Sequence, residues 1–353
     1  MKNDKICKWY ESEKVDEGII ISARVRLARN FEKYHFPNKI KNADATDMME
    51  QTARAVTSAK KVRGSDKFTY TDMTNENEGK LLPLMERHVI SHHLLKKNGA
   101  KGIILSGFED KSIMLNEEDH VRIQSIFPGD NLEAAFEAAN KLDDIIEKHG
   151  DNKYAFDEQF GYLTACPTNV GTGLRVSLML HLPVLERLGF ISKILPTLSK
   201  VNVAVRGIHG EGSDSLGSIY QISNQCSIGK TEQELLHTLK GMADWVIKQE
   251  KSVRDKHFST YRLAVQDKLY RSYGVLTNCR RLGLEEGMKL LSDLRLGLTD
   301  GLLDIPRPQK TIYALMTEIQ PGSLCEIAGR VMNKDERHAF RAEYVRKQMA
   351  IVW

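Results

Sequence analysis

Five arginines stand in four short segments: Ser22-Ala-Arg24-Val-Arg26, Asn116-Glu-Glu118-Asp-His-Val-Arg122, Cys166-Pro-Thr-Asn-Val-Gly-Thr-Gly-Leu-Arg175 and Arg206-Gly-Ile-His-Gly-Glu211. A guanidinium keeps its charge at any working pH and presents a rigid fork of donors that matches phosphate oxygens. Converging from separate segments, such arginines can hold a triphosphate without a Gly-rich phosphate loop. The second and fourth segments also carry carboxylates. An anion clamp beside carboxylates suits transfer of a phosphoryl group onto a basic acceptor.

Each feature alone has a plainer reading. Glu117, Glu118 and Asp119 by themselves read as a solvated acidic turn. Cys166 reads as a buried thiol or, beside amides and arginines, as a thiolate of lowered pKa. Gly171 and Gly173 precede an apolar run, Leu174 to Leu188, read as a helix with Arg175 in its first turn. There the free amides favour an anion, and an arginine is out of place unless an anion sits beside it. Gly229-Lys230-Thr231 imitates the end of a Walker A loop, but position 224 is Asn where that motif needs glycine. His88, His92 and His93 form no HExxH pattern, so no protein-bound metal site is expected.

Short apolar runs at 18–27, 102–106, 112–115, 119–127, 201–208 and 218–223 predict strands, and helical spacing predicts helices at 43–61, 82–97 and 131–149. A glycine-rich loop, His209 to Gly217, is expected to be mobile. Thr231-Glu-Gln-Glu234 fits a capping box opening a long helix. From about residue 250 the pattern is mostly helical, with interruptions near Gly274 and around 298–309, placing a domain boundary in the 250s. The expected domains are a catalytic 1–255 and a helical 256–353. A net charge of +4 on 353 residues argues against a protein that coats nucleic acid. No apolar run approaches the roughly 20 residues of a membrane span, and the N-terminus lacks a secretory apolar core. Five scattered cysteines without a CxxC pair support neither a zinc knuckle nor a disulfide framework. A soluble cytoplasmic protein is expected.

Taken together and in this order, the four segments resemble the catalytic domain of the phosphagen (ATP:guanido) kinase family, from about Ile19 to about Gly229. Within it the chain looks most like the bacterial branch directed at arginine in proteins. The Ser22–Asn30 segment lies near the start, leaving no room for the helical N-terminal domain of metabolite-directed members. The tail resembles that branch's C-terminal domain, including Tyr270-Arg-Ser-Tyr-Gly-Val-Leu-Thr-Asn-Cys279. Arg337 and Arg341-Ala342 match part of the RDxxRA motif that forms a phosphoarginine-binding pocket in the resembled proteins. The motif's Asp is His338 here, which puts regulation through that pocket in doubt while leaving both arginines in place.

The resemblance implies an α+β fold: an antiparallel sheet flanked by helices, glutamine synthetase-like, followed by a helical domain. It implies that Ser22, Ala23, Arg24, Val25 and Arg26, with His88, Arg122 and Arg175, bind ATP. Val176, Ser177, Leu178 and Met179 would line the same site. Arg206, Gly207, Ile208, His209, Gly210 and Glu211 would close over it as a flap. Mg²⁺ would arrive bridging phosphate oxygens. Glu118 would orient the acceptor guanidinium and take its proton, Glu211 would grip its other side, and Cys166 would tune the pocket. Arg206→Ala is expected to impair turnover more than Arg29→Ala. The implied activity is phosphorylation of protein arginines, marking proteins for regulated proteolysis. Partners would include the adaptor McsA, the repressor CtsR and the ClpC–ClpP protease, with a homodimer formed through the helical region. Two other readings stay open: a kinase for free arginine or another small guanidino compound, and a silent adaptor that binds phosphoarginine or a partner protein.

Overall fold

The computed structural model describes residues 7–58, 67–150, 152–207 and 215–349. An eight-stranded sheet has the order β2-β3-β4-β5-β1-β8-β10-β9. Its strands are β1 (Ile20–Arg29), β2 (Phe68–Asp72), β3 (Gly102–Ser106), β4 (Lys111–Leu115), β5 (Val121–Pro128), β8 (Leu174–His181), β9 (Val203–Gly207) and β10 (Ile219–Asn224). A small hairpin joins β6 (Phe156–Asp157) to β7 (Gly161–Tyr162). The pairs β2–β3, β3–β4 and β4–β5 are antiparallel, with Met114 opposite Arg122.

The chain divides into two compact units. The first takes residues 1–9, 23–177 and 223–239. It holds α1 (Asn42–Ser58), α2 (Glu78–Glu86), α3 (His92–Lys96) and α4 (Leu132–His149). Leu132, Ala135, Ala139, Leu142 and Ile146 recur at helical spacing, and all are buried. Each large one is worth roughly 1.5–3 kcal/mol of burial. Ser125 on β5 donates to the carbonyl of Ala135, so α4 lies over the face of β5 that carries Val121, Ile123 and Ser125. Strand side chains alternate. Arg122 and Gln124 therefore face the other way.

Three local readings need correction. The run Leu174 to Leu188 is not one helix: its first half is β8, followed by α5 (Pro183–Arg187). Apart from Arg175 every residue of β8 is buried, and a strand covered on both faces shows no polar stripe to set it apart from a buried helix. Arg175 thus stands on a strand, and no helix dipole acts on it. The 82–97 pattern belongs to two helices, broken where His88 adopts a φ of 62°. Strand β2 was not foreseen; it is a short edge strand whose residues are exposed or half-buried.

The second unit takes residues 10–22, 178–222 and 240–353. It contains α5, α6 (Ile191–Ser199), most of α7 (Glu232–Asn278), α8 (Leu284–Thr299), α9 (Ile312–Glu318), α10 (Pro321–Ala328) and α11 (Lys334–Met349). The capping box opening α7 forms: Glu234 N reaches Thr231 Oγ1 at 3.2 Å, and Thr231 N reaches Glu234 Oε2 at 2.7 Å. Gly274 sits inside α7, which breaks its helical dihedrals at Tyr261 instead. Two buried arginines in this unit are paired with carboxylates. Arg254 meets Glu250 at 2.7 Å and Asp300 at 2.8 Å, while Arg295 meets Asp16 at 3.1 Å. No helix among the described residues is long and apolar enough to cross a membrane.

Candidate active site

On β1 the buried residues Ala23, Val25 and Leu27 alternate with half-buried Arg24 and Arg26. Arg24 Nε lies 3.5 Å from Ser177 Oγ on β8, and that hydroxyl donates to the Arg24 carbonyl at 3.3 Å. Ser177 shares its face of β8 with Arg175, two residues away. Burial, then the positive charges of Arg24, Arg122 and Arg175, push the Arg26 guanidinium well below its usual pKa, against the opposing charge of Glu117. Four arginines from three adjacent strands therefore meet on the face that α4 leaves open. Arg26 Nε is buried without a hydrogen-bond partner among the described residues. Like charges held this close repel, and a polyanion removes the repulsion while supplying acceptors. The residues present fit a nucleotide's phosphates.

The acidic turn joins β4 to β5. Asn116 turns the chain with a φ of 53°, its amide bonded to the His120 carbonyl at 2.7 Å. The three carboxylates have separate tasks. Glu117 is 1% exposed and accepts from Arg122 Nη1 with both oxygens, at 2.7 and 2.8 Å. Burial works against this carboxylate, yet the Arg122 charge and hydrogen bonds from Arg122, Ser91 and Glu118 N outweigh it and hold the pKa at about 2. Asp119 accepts from Asn30 Nδ2 at 2.6 Å and from Ala165 N at 2.7 Å. Burial raises its pKa. Glu118 is half-buried, and its carboxylate has no hydrogen-bond or ion-pair partner among the described residues. Its charge acts on Arg122. Of the three, only Glu118 is available to a substrate cation.

His120 completes the turn as a neutral ring. Its Nδ1 accepts from Phe31 N at 3.0 Å and its Nε2 donates to the His35 carbonyl at 2.8 Å. Burial brings its pKa down to about 4. The bond from Ala165 N draws the segment before Cys166 against the turn. Cys166 is half-buried, with Sγ 3.0 Å from Thr168 Oγ1. The glycines after it serve backbone contacts. A Cβ at Gly173 (φ 66°) would lie 2.6 Å from the Ala28 carbonyl oxygen, and one at Gly171 (φ 111°) 2.9 Å from Ser227 O.

His88 is half-buried, and its carbonyl accepts from Gln124 Nε2 at 2.7 Å, which ties it to the face of β5 that carries Arg122. Ser22, Ala23, Val25, Val176, Ser177, Leu178 and Met179 are buried strand residues of β1 and β8. Arg206 and Gly207 end β9 in the second unit, where Arg206 is exposed. Ile208, His209, Gly210 and Glu211 lie outside the described residues. Arg341 is 2% exposed, donating to the carbonyls of Ile319 (2.8 Å) and Leu282 (2.9 Å). Arg337 donates to the Met332 carbonyl at 2.7 Å. Sequence reasoning gave no role to Glu117, Asn30, Ser91 or Lys97. Glu117 and Arg122 flank a tight reversal between two strands, which was the available signal. The others reach the turn from distant segments.

Known proteins similar to this chain identify its family. Residues 47–253 match the ATP:guanido phosphotransferase C-terminal catalytic domain, and residues 262–352 match the protein-arginine kinase McsB C-terminal domain. The protein-arginine kinase of Bacillus subtilis (strain 168) is 41% identical over 346 residues, covering 98% of this chain and 94% of the relative. That of Geobacillus stearothermophilus is 40% identical over 348 residues, with the same coverage of 98% and 94%. Among solved structures, the duplicated taurocyamine kinase of Schistosoma mansoni with bound transition-state-analogue components superposes with a TM-score of 0.59 at 24% identity, covering 70% of this chain and 35% of that one. Lombricine kinase gives 0.58 at 23% identity, covering 71% and 70%. At those identities the likeness is one of fold. The two family models and the full-length relatives together show that this chain belongs to the ATP:guanido phosphotransferase family, in its protein-arginine kinase branch.

Proposed function

We propose that this chain transfers the γ-phosphoryl group of ATP to arginine side chains of proteins. The observation that carries the reading is the crowding of Arg24, Arg122 and Arg175 around Arg26, with the unpartnered Glu118 carboxylate acting on Arg122. Arg24, Arg26, Arg122, Arg175 and Arg206 hold the phosphates and offset charge as the phosphoryl group moves. His88 and the β1 and β8 residues shape the nucleotide site. Mg²⁺ would arrive carried on the nucleotide and would offset phosphate charge beside the arginines. Glu118 pairs with the acceptor guanidinium, aligns one nitrogen and takes its proton. Glu211 serves as the second carboxylate on a closing flap of residues 206–211, and Cys166 tunes the pocket.

The division of labour follows the sequence: catalysis in 1–255, and dimerisation with phosphoarginine binding at Arg337 and Arg341 in 256–353. The free cysteines suit a reducing cytoplasm. McsA, CtsR and ClpC–ClpP are the proposed partners, and regulated proteolysis the proposed outcome. A paired assay with Mg-ATP tests the reading, one tube holding free L-arginine and the other casein. Products are read by ³¹P NMR and by mass spectrometry without acid, because a phosphorus–nitrogen bond is acid-labile. Phosphate on casein arginines alone is expected. Turnover of free arginine alone would make this a small-molecule kinase, and ATP bound but never consumed would make it an adaptor.

A further inference from the structure

We propose that Ser91 and Lys97, at the two ends of α3, are positioning residues for phosphoryl transfer: by holding Glu117 they set Arg122 of the arginine face against Glu118 of the acidic turn. The inference rests on the proposed role of Glu118.

Glu117 is the joint. Its Oε1 accepts from Arg122 Nη1 and from Ser91 Oγ, and its Oε2 accepts from Arg122 Nη1 and from the backbone N of Glu118 at 3.0 Å. A carboxylate offers about four lone-pair sites, and these contacts use them. One buried carboxylate thereby links a phosphate-binding guanidinium to the backbone of the base. Lys97 Nζ adds a bond to the Glu117 carbonyl at 2.9 Å.

The holding element is itself anchored away from substrate. A helix of five residues such as α3 does not persist alone. Ser91 Oγ caps it at Leu94 N, 3.0 Å away, and Lys101 Nζ closes its other end on the carbonyls of Leu94 (3.2 Å), Leu95 (3.4 Å) and Lys97 (2.7 Å). Leu94 and Leu95 are buried in a cluster with Met73, Leu81, Ile103 and Met114. Asn116 Nδ2 bonds the Ala100 carbonyl at 2.5 Å, fixing the start of the same turn. Displacement of a reacting group by an ångström costs on the order of 10²-fold in rate, so loss of this support should appear in turnover.

The test compares Ser91→Asp, Ser91→Thr, Lys97→Met and Glu118→Gln in the full chain. Asp caps a helix as well as Ser does, but it sets a second carboxylate against Glu117. Ser91→Asp is expected to lower kcat about 10- to 100-fold while KM for ATP moves less than about threefold. Lys97→Met should show the same split more weakly, and Ser91→Thr should keep most of the activity. In a Glu118→Gln background Ser91→Asp should add little, because the group being positioned is gone. Normal kcat in Ser91→Asp and Lys97→Met beside a disabled Glu118→Gln overturns the inference and leaves the role of Glu118 standing. An equal loss from Ser91→Asp in both backgrounds overturns it too, as a general folding defect. Full activity of Glu118→Gln removes the reading beneath it.

Discussion

Arg26 and Arg29 are three residues apart on one strand and face opposite ways. Arg29 is 1% exposed and donates to Asp143 at 2.6 and 3.0 Å and to the Thr172 carbonyl at 2.9 Å. Its guanidinium carbon lies 3.6 Å from the centre of the Tyr162 ring. Arg26 is surrounded by the charges of three other arginines and one glutamate. The same residue type is thus fully paired on one face and crowded by like charge on the other. Completeness of pairing separates the two: Arg29 has its carboxylate, whereas Arg26, crowded by its own kind, is the one proposed to meet a phosphate.

Replacing each by methionine is the strongest way to break this comparison. Arg29→Met strands Asp143 and should cost about 3–5 kcal/mol of stability. Arg26→Met should lower turnover about 10²–10³-fold, the scale for a lost donor to developing charge, with a melting temperature unchanged or raised. Urea melts beside steady-state rates decide it, and equal destabilisation by both would erase the distinction. Arg29→Ala is consequently a poor reference for Arg206→Ala, since it attacks the fold.

Acid probes the neutral side of the site. His120 has a folded pKa of about 4 against 6.5 ordinarily, so the unfolded chain takes up a proton that the folded chain refuses. Stability is full above about pH 6.5 and falls by about 3 kcal/mol as pH drops to about 4. Glu117, held at about 2 against 4.5, gives up its own contribution between about 4.5 and about 2. Melting temperatures from pH 7.5 to 4 should fall more steeply in the wild type than in His120→Asn; parallel slopes would clear the histidine. Gly173→Ala should cost about 1–3 kcal/mol, because its Cβ would press on Ala28 O and Arg29 Nη1. Calorimetry that found it neutral would show that β1 gives way there. Thr231→Ala should cost about 1 kcal/mol through its cap and leave kcat unchanged.

Arg24, Arg26, Arg122 and Arg175, which meet on one face, and Glu118 beside Arg122 could be picked out in the sequence because charge belongs to residue type. The strands β1, β3, β4, β5, β9 and β10 were legible as short apolar runs. Strand β8 was not, because Leu174, Val176, Leu178 and Leu180 satisfy a period of two while Met179, Leu182 and Val184 fill in the rest. The partners of Glu117 were illegible for another reason. Ser91 is 26 residues away and Lys97 20, and nothing local in either stretch announces a contact with the acidic turn.

The bonds that shape that turn have a consequence for how the chain folds. Asn30 to Asp119 and Phe31 to His120 each close 89 residues, and Ala165 to Asp119 closes 46. Closing such loops carries an entropic cost that local helices escape, and non-local contacts form slowly. Helices α1 and α4 can therefore be in place while the acidic turn is still unformed. During refolding, helical signal should return ahead of catalytic competence, and a chain interrupted along the way would look folded by its helices yet leave Glu118 and the arginines of β1 apart.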